Sequence, residues 1–521
     1  MKNQEVVCIL TAGTGTRMGI MGMQLNKALF PVDGKAIITH IINKFPKETT
    51  FVIALGYLGD QVRQYLSVAH NSSKIIFVDV DNYNKPGSGP GYSLLCCQHQ
   101  LNRPFYFVSC DTLWDDPVEL FPGRNWIGVA PVPSAISSKY CNIKIENSIA
   151  VGLLDKQEID DSKFQAFVGL CHIQDHSIFW NALGNKDIVE GEHQVSNGLS
   201  SLISETKVWA KPIDWIDVGD AEKYKETVSR YENYDFSKQN ESLYIVNNKV
   251  IKFFVDPELT ERRVMKSRLK PKVFPGITHF ENQFYAYDFQ AGETLYMTNN
   301  SHIFSMLLDW LDTELWSPVR VNSDVVRESC KKFYYNKTTE RIDLYHDKYD
   351  ISGQSSIING NSIPPTGELL SKIDWESLYD GVPCFMHGDL QFDNIIFNNE
   401  SGKFTLLDWR QDFAGHITFG DLYYDFAKLY GGIILNYDFI KLNLLRYTES
   451  ESKIDFDFAQ RYQSSTYINI LSKYIIEKGY DIDKVKLIVA LIYLNMSPLH
   501  HYPFDKMLYS LGRDMLNNQV H

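Results

Sequence analysis

The segment His387-Gly-Asp-Leu-Gln-Phe-Asp-Asn394, followed by Leu406-Leu-Asp408, constrains the fold more than any other stretch of the chain. Asp389 and Asn394 are spaced by five, and Asp408 ends the apolar run Phe404–Leu407. A carboxylate, an amide and a second carboxylate presented in this way can receive a hydroxyl proton and hold the magnesium of a bound nucleotide. Upstream, Val250-Ile-Lys252-Phe-Phe254 sets a lysine in an apolar strand, a costly place for a charge unless phosphate and a helix carboxylate answer it. Glu261 is the carboxylate expected, with Glu258 as its competitor, and Phe289-Gln-Ala-Gly-Glu293 is the expected hinge against adenine. Strand-like Ser242–Val246, Lys249–Phe254 and Phe284–Phe289, a charged helix-like stretch at 257–270 and mostly helical text at 302–345 and 415–515 predict a small β-rich lobe before a larger helical one.

The other end carries an unrelated device. Apolar Val6–Leu10 runs into Thr11-Ala12-Gly13-Thr-Gly15-Thr16-Arg17-Met18, and Lys27 follows a short excursion later. A glycine turn leaving a strand exposes successive N–H groups that cradle phosphate oxygens. There is no third glycine for a dinucleotide fingerprint and no Gly-Lys-Ser/Thr for an ATPase loop, so Arg17 and Lys27 are the charges on offer. Runs at Val6–Leu10, Phe51–Leu55, Ile75–Val80, Phe105–Ser109 and Trp126–Val132 alternate with helix-like Ala36–Lys44 and Asp60–Leu66. That rhythm predicts an α/β domain with a Rossmann-like, mainly parallel sheet, whose carboxyl edge would carry both the glycine turn and Asp111.

A chain of 521 residues exceeds one hydrophobic core, and the polar, aperiodic text between Ser229 and Glu241 reads as a linker. The expected domains are 1–235 and 236–521. A net charge of −13 argues against a nucleic-acid surface, and the eight cysteines show no C-x-x-C spacing. The opening has no signal-peptide pattern, and the apolar run Leu487–Leu494 is far shorter than a bilayer of about 30 Å requires. A cytoplasmic protein without a membrane span is expected.

With these residues in place, the N-terminal text resembles, over residues 5 to 228, the nucleotidyltransferase superfamily that makes nucleotide-activated sugars and amino alcohols. Gly91-Tyr-Ser93-Leu94, Val108-Ser-Cys-Asp111, Phe167-Val-Gly169 before a strand, and Trp215-Ile-Asp217-Val-Gly219 follow the signature in order. The resemblance implies that Ala12, Gly13, Gly15, Thr16, Arg17, Gly91 and Ser93 bind the nucleotide, that Arg17 and Lys27 hold the phosphates, and that Asp111 and Asp217 bind Mg²⁺. Taken singly, the two aspartates read as ordinary strand-end turn residues, and the ordered set is what points to ligands. Thr11-Ala12-Gly13 and Tyr92-Ser-Leu94 are similar to phosphocholine cytidylyltransferases, which favours CTP.

From residue 241 to about 515 the chain resembles the aminoglycoside phosphotransferase and choline kinase family, with Gly420-Asp-Leu-Tyr-Tyr-Asp-Phe-Ala427 matching its helix after the metal loop. A bilobal, protein-kinase-like α+β domain is implied, with Asp389 catalytic, Asn394 and Asp408 on Mg²⁺, and Lys252 and Glu261 serving ATP. Asp408-Trp-Arg410 in place of Asp-Phe-Gly speaks against a protein kinase. His387 reads as a brace for the loop. Trp409, Tyr423 and Tyr424 read either as a box for a quaternary ammonium or as core, and His500-His501 as packing or surface residues.

Together these readings predict a bifunctional enzyme. It would phosphorylate an amino alcohol or a sugar with ATP, then join the phosphate to a nucleotide from a second NTP to give a donor for capsule, lipopolysaccharide or lipid decoration. Alternatives are one working domain beside a nucleotide-sensing relic, a sugar kinase with a guanylyl- or uridylyltransferase, and a nucleotide-binding scaffold.

Overall fold

The computed structural model describes residues 5–115, 123–184, 188–189, 191–231, 240–351, 354–451 and 453–520. The chain divides into two compact units, Met1–Tyr231 with Lys238–Val255, and Glu232–Ser237 with Asp256–His521. The boundary expected near residue 236 falls outside the described residues.

The first unit is built on a nine-stranded sheet. Its strands are β1 (Val6–Leu10), β2 (Thr50–Leu55), β3 (Lys74–Asp79), β4 (Phe105–Ser109), β6 (Asn125–Ala130), β7 (Cys141–Glu146), β8 (Ile149–Asp155), β9 (Phe164–Ile173) and β10 (Val208–Pro212). A short strand β5 (Thr112–Trp114) stands outside it and pairs with β11 (Trp215–Asp217). Every residue of β1 is buried, as a continuous apolar run demands when both faces of a strand are covered. The order is β3-β2-β1-β4-β9-β6-β10-β8-β7. The chain steps outward from β1 to β3, then returns to β4 on the other flank of β1, so the order of strand addition reverses between these two parallel strands. Leu10 pairs with Ser109 in parallel register, and the segments leaving β1 and β4 therefore emerge side by side where an open sheet accepts ligands.

The expectation of a mainly parallel sheet holds only for the half that carries this edge. Beyond β4 the sheet turns antiparallel at β9 and stays mixed, with β7 pairing both β8 and β9. Phe167-Val-Gly169 does not precede a strand but lies inside β9, at an irregularity between Phe167 and Cys171. Gly169 has φ +79°, and a Cβ there would stand 2.8 Å from Ser109 Cβ and 2.9 Å from Thr112 Oγ1. The bulge thus presses bare backbone against the turn that carries Asp111, which explains a glycine there.

Helix α1 (Gly59–Ala69) buries Tyr65 against a hairpin from further along the chain, β12 (Glu241–Val246) and β13 (Lys249–Phe254). Tyr244 of β12 donates to Leu29 O at 2.7 Å, and Ile245 N donates to Gly34 O at 2.8 Å. This hairpin packs with the first unit.

In the second unit α2 (Pro257–Leu269) starts at Asp256, whose side chain accepts from Glu258 N, with proline in the first turn. Hairpins β14 (Ile277–Glu281) with β15 (Phe284–Asp288) and β16 (Ile395–Asn398) with β17 (Lys403–Leu406) follow. The helical body includes α3 (Lys337–Tyr349), preceded by a π-helical turn at Lys331–Asn336, and then α4 (Leu422–Ile434), α5 (Ser464–Glu477), α6 (Ile482–Met496) and α7 (Phe504–Val520). Residues 422–433, all but the last of α4, are buried, so this helix is the axis of the body. The stretch 415–515 is not helical throughout. Leu445–Ser450 and Lys453–Phe458 form an antiparallel hairpin, in which Ile454, Phe456 and Phe458 alternate with polar residues.

Replacing Gly169 by alanine should cost about 1–3 kcal/mol of stability, because neither the left-handed backbone nor the contact with the 109–112 turn admits a Cβ. Denaturant unfolding would measure this, and an unchanged midpoint would contradict it.

Candidate active sites

At the switch point of the first unit, Thr11 N donates to Ala54 O at 3.0 Å, and Tyr57 N donates to Ala12 O at 3.0 Å, which pins the start of the glycine turn. Asn26 holds the turn from the other side through Nδ2 to Thr11 O at 3.0 Å. Gly15 adopts φ +63°, and a Cβ on Gly22 would stand 2.5 Å from Gly15 O, so the turn closes tightly. Ala12 is buried, whereas Gly13, Thr16 and Arg17 are exposed. Gly91 and Ser93 lie on a short helix, Pro90–Cys96, where a Cβ on Gly91 would stand 2.7 Å from the carbonyls of His193 and Gln194.

Lys27 ties this turn to both aspartates. Its ammonium lies 2.8 Å from Asp111 Oδ2 and donates to Gly219 O at 2.9 Å. Gly219 N in turn donates to Asp217 Oδ1 at 2.8 Å, and Asp217 pairs with Thr112 across the β5–β11 ribbon. Residues distant in sequence thus converge at one strand edge. Burial pushes the Asp111 carboxyl up, but the Lys27 ammonium, the Ser109 hydroxyl and Arg17 outweigh it and hold the group well below the usual carboxylate range. Asp217 Oδ2 accepts from Tyr140 at 2.9 Å and from Lys223. Burial pulls the Lys223 ammonium down, but Asp217 and Tyr140 prevail and raise it. Neither Tyr140 nor Lys223 was legible as a site residue, since each meets Asp217 only through the fold.

In the second unit Asp425, in the first turn of α4, is fully buried. Its carboxylate accepts from His387 N at 2.8 Å, Gly388 N at 2.7 Å and Trp316 Nε1 at 3.1 Å. One turn on, Lys428 places its ammonium 2.7 Å from Asp389 Oδ1. Asn394 Nδ2 donates to Asp389 O at 2.9 Å, which commits the amide nitrogen and leaves the amide oxygen for other work. Asp408 has φ +53°, a conformation aspartate tolerates, and its Oδ1 accepts from Arg263 at 2.7 Å.

His387 joins the two loops. Asp389 N donates to its Nδ1 at 3.1 Å, so Nε2 carries the proton and donates to Leu407 O at 2.9 Å, beside Asp408. Burial takes its pKa down to about 3, and the ring is neutral. Lys266, pulled down to about 7 by burial, donates to Arg410 O at 2.8 Å and to His387 O at 3.4 Å.

The remaining expected residues fall as follows. Glu261 is exposed on α2, and the side chain that this helix turns onto Asp408 is Arg263. Trp409 and Tyr423 are core: Trp409 packs on Phe274, Tyr285 and Tyr287 and donates to Arg263 O, while Tyr423 packs edge-on to Tyr480. Lys252 is buried in β13, opposite Leu243.

Among the described residues no three His, Cys, Asp or Glu side chains gather as a metal cluster. Mg²⁺ does not require one, since it commonly takes one or two carboxylates and fills its octahedron with phosphate oxygens and water. An ionised Asp111 beside Asp217, and Asp408 in the same loop system as the Asn394 amide oxygen, are hard oxygen donors that fit that ion.

Residues 7–117 match the MobA-like NTP transferase domain, and residues 365–446 match the phosphotransferase enzyme family. The chain therefore joins a nucleotidyltransferase-type domain to a phosphotransferase-type domain. It is 23% identical over 222 residues to the bifunctional protein GlmU of Methanococcus vannielii, covering 40% of this chain and 51% of that protein. To GlmU of Methanocaldococcus jannaschii it is 25% identical over 215 residues, covering 40% and 50%. The chain spans about half the length of these curated relatives. Among solved structures, an apo UDP-glucose pyrophosphorylase aligns at 17% identity with a TM-score of 0.39, over 44% of this chain and 98% of that one. The inositol-1-phosphate CTP transferase from T. maritima aligns at 15% identity with a TM-score of 0.35, over 44% and 96%. No helix among the described residues is long and apolar enough to cross a membrane.

A histidine held neutral makes acid destabilising. Its folded pKa of about 3 lies below the ordinary 6.5, so the unfolded chain binds the extra proton between those values and stability falls as pH drops through that window. Asp393, raised to about 6 by burial, acts in the opposite sense between 3.8 and 6. Comparing wild type with His387→Gln isolates the histidine. Denaturant unfolding at pH 7 and pH 5 should show wild type losing up to roughly 1.4 kcal/mol per pH unit more than the variant.

Proposed function

We propose that the second unit transfers the γ-phosphoryl group of ATP to the hydroxyl of a small metabolite. The first unit then transfers a nucleotidyl group from a second NTP, CTP being the first to test, onto the resulting phosphate. Pyrophosphate leaves, and the product is a nucleotide-activated donor suited to surface glycan or lipid decoration. The observation that supports this reading is the presence in one polypeptide of two separately built acidic sites, each with its carboxylate held against a lysine: Asp111 with Lys27, and Asp389 with Lys428.

In the kinase step Asp389 accepts the hydroxyl proton as the acceptor oxygen attacks the γ-phosphorus and the bond to the β-phosphate bridge breaks. Lys428 orients that carboxylate, and Lys252 and Arg263 are the cations assigned to the nucleotide side. Asn394 and Asp408 are the residues assigned to hold Mg²⁺. In the second step the phosphate monoester attacks the α-phosphorus of the NTP in the cradle of Ala12, Gly13, Gly15 and Thr16, with Gly91 and Ser93 assigned to the nucleoside. Arg17 and Lys27 offset the negative charge of the two reactants and of the departing pyrophosphate. Asp111 and Asp217 are assigned to Mg²⁺, which when bound neutralises phosphate oxygens in both reactions.

Asp389→Ala should cut ADP formation by roughly 10²–10⁴-fold yet leave pyrophosphate release from pre-phosphorylated substrate intact, and Asp111→Ala should do the reverse. Parallel ADP and pyrophosphate assays on folded variants check this. One substitution silencing both reactions would contradict two independent sites.

A further inference from the structure

Near Asp389 the second unit holds several cations, and not all of them are paired with a carboxylate. Lys428 is matched by Asp389. Three further cations are not: Lys337 and Arg341, four residues apart on α3, and Arg410, two residues beyond Asp408. Among the described residues no carboxylate forms an ion pair with any of the three. They are nevertheless drawn together. The Phe333 ring has Lys337 Nζ at 4.3 Å and Arg410 Cζ at 4.9 Å from its centroid, and Lys337 Nζ lies 6.0 Å from that of Tyr424. Arg410 Nε is buried with no hydrogen-bond partner.

Left to itself this arrangement is unfavourable. Like charges four residues apart on a helix repel, and a half-buried cation without an anion loses hydration for little return beyond the ring faces. Burial drives the Lys337 ammonium well below its usual range, with Arg410, Lys428 and Arg341 pushing the same way and Asp389 opposing them. A guanidinium and an ammonium converging without carboxylates are what a protein offers to a carboxylate or a phosphate. A Cβ on Gly388, next to Asp389, would stand 2.7 Å from Arg410 Cβ, so the segment that carries Arg410 lies against the loop that carries the group assigned to the acceptor hydroxyl.

We propose that the phosphoryl acceptor carries, besides its hydroxyl, a carboxylate or phosphate that Arg410 and Lys337 grip while Asp389 faces the hydroxyl. Arg341 adds longer-range attraction. This rests on the kinase reading above and narrows it: a purely cationic amino alcohol would be repelled by the same three side chains. The transfer itself is unchanged, with the acceptor oxygen bonding to the γ-phosphorus, ADP leaving and the hydroxyl proton passing to Asp389.

The test incubates the full-length protein with ATP, Mg²⁺ and a small-metabolite extract of the organism that makes it, and identifies the phosphorylated product by mass spectrometry. A product bearing a carboxylate or a second phosphate is expected, and which of the two it bears assigns the anion. With that acceptor, Arg410→Ala and Lys337→Ala should raise its KM roughly tenfold or more while KM for ATP stays within about twofold. A product with no acid group beyond the transferred phosphate overturns the proposal, as does a KM rise confined to ATP, which would make the cluster a nucleotide clamp. If the variants fail to fold, the wild-type product decides alone. Absence of ADP-forming turnover while pyrophosphate release persists refutes the kinase reading itself, and this inference with it.

Discussion

A carboxylate shut away from water must be surrounded by donors, and Asp425 is the place where that requirement organises the second unit. Its oxygens take the backbone N–H groups of His387 and Gly388 and the indole of Trp316. In a low-dielectric interior each of these bonds is stronger than it would be in water, and each donor would be costly to leave unmatched. The same helix delivers Lys428 to Asp389. The loop is thus fixed by one turn of α4 and charged by the next. His387 extends the chain of bonds to Leu407 O, so the strand end that presents Asp408 is set by the same anchor.

The first unit solves the same problem with a single lysine. Lys27 reaches from just beyond the glycine turn to Asp111 and to the Gly219 carbonyl, closing three segments around one point. What the two sites share is not ancestry but electrostatics. Anionic phosphates can be brought to acidic residues only where cations already hold those residues in place and offset their field.

Much of this was legible from the text of the chain. The apolar run of β1, its glycine turn and an aspartate at the end of β4 give a switch point, and the Asp389–Asn394 spacing marks the loop that Asp425 anchors. The phase of two helices was not legible. Residues 257–269 are polar nearly all round, so no apolar stripe reveals that Arg263 and Lys266, rather than Glu261, turn inward. Helix α4 is buried on every side, so Lys428 leaves no amphipathic trace either. Gly169 read as a residue before a strand because a bulge does not interrupt the apolar pattern around it. Lys223 and Tyr140 meet Asp217 only through tertiary structure, and no local spacing carries that information.

Two sites on one chain matter if the product of one is the substrate of the other, since tethering raises the local concentration of the intermediate. That claim is tested most directly by following the phosphorus atom. With ATP labelled at the γ-phosphorus, an unlabelled second NTP and an acceptor, the account predicts that label enters the nucleotide conjugate, in the phosphate bridging nucleotide and metabolite, while the pyrophosphate released is unlabelled. Label found in pyrophosphate or inorganic phosphate, with an unlabelled conjugate, would contradict it.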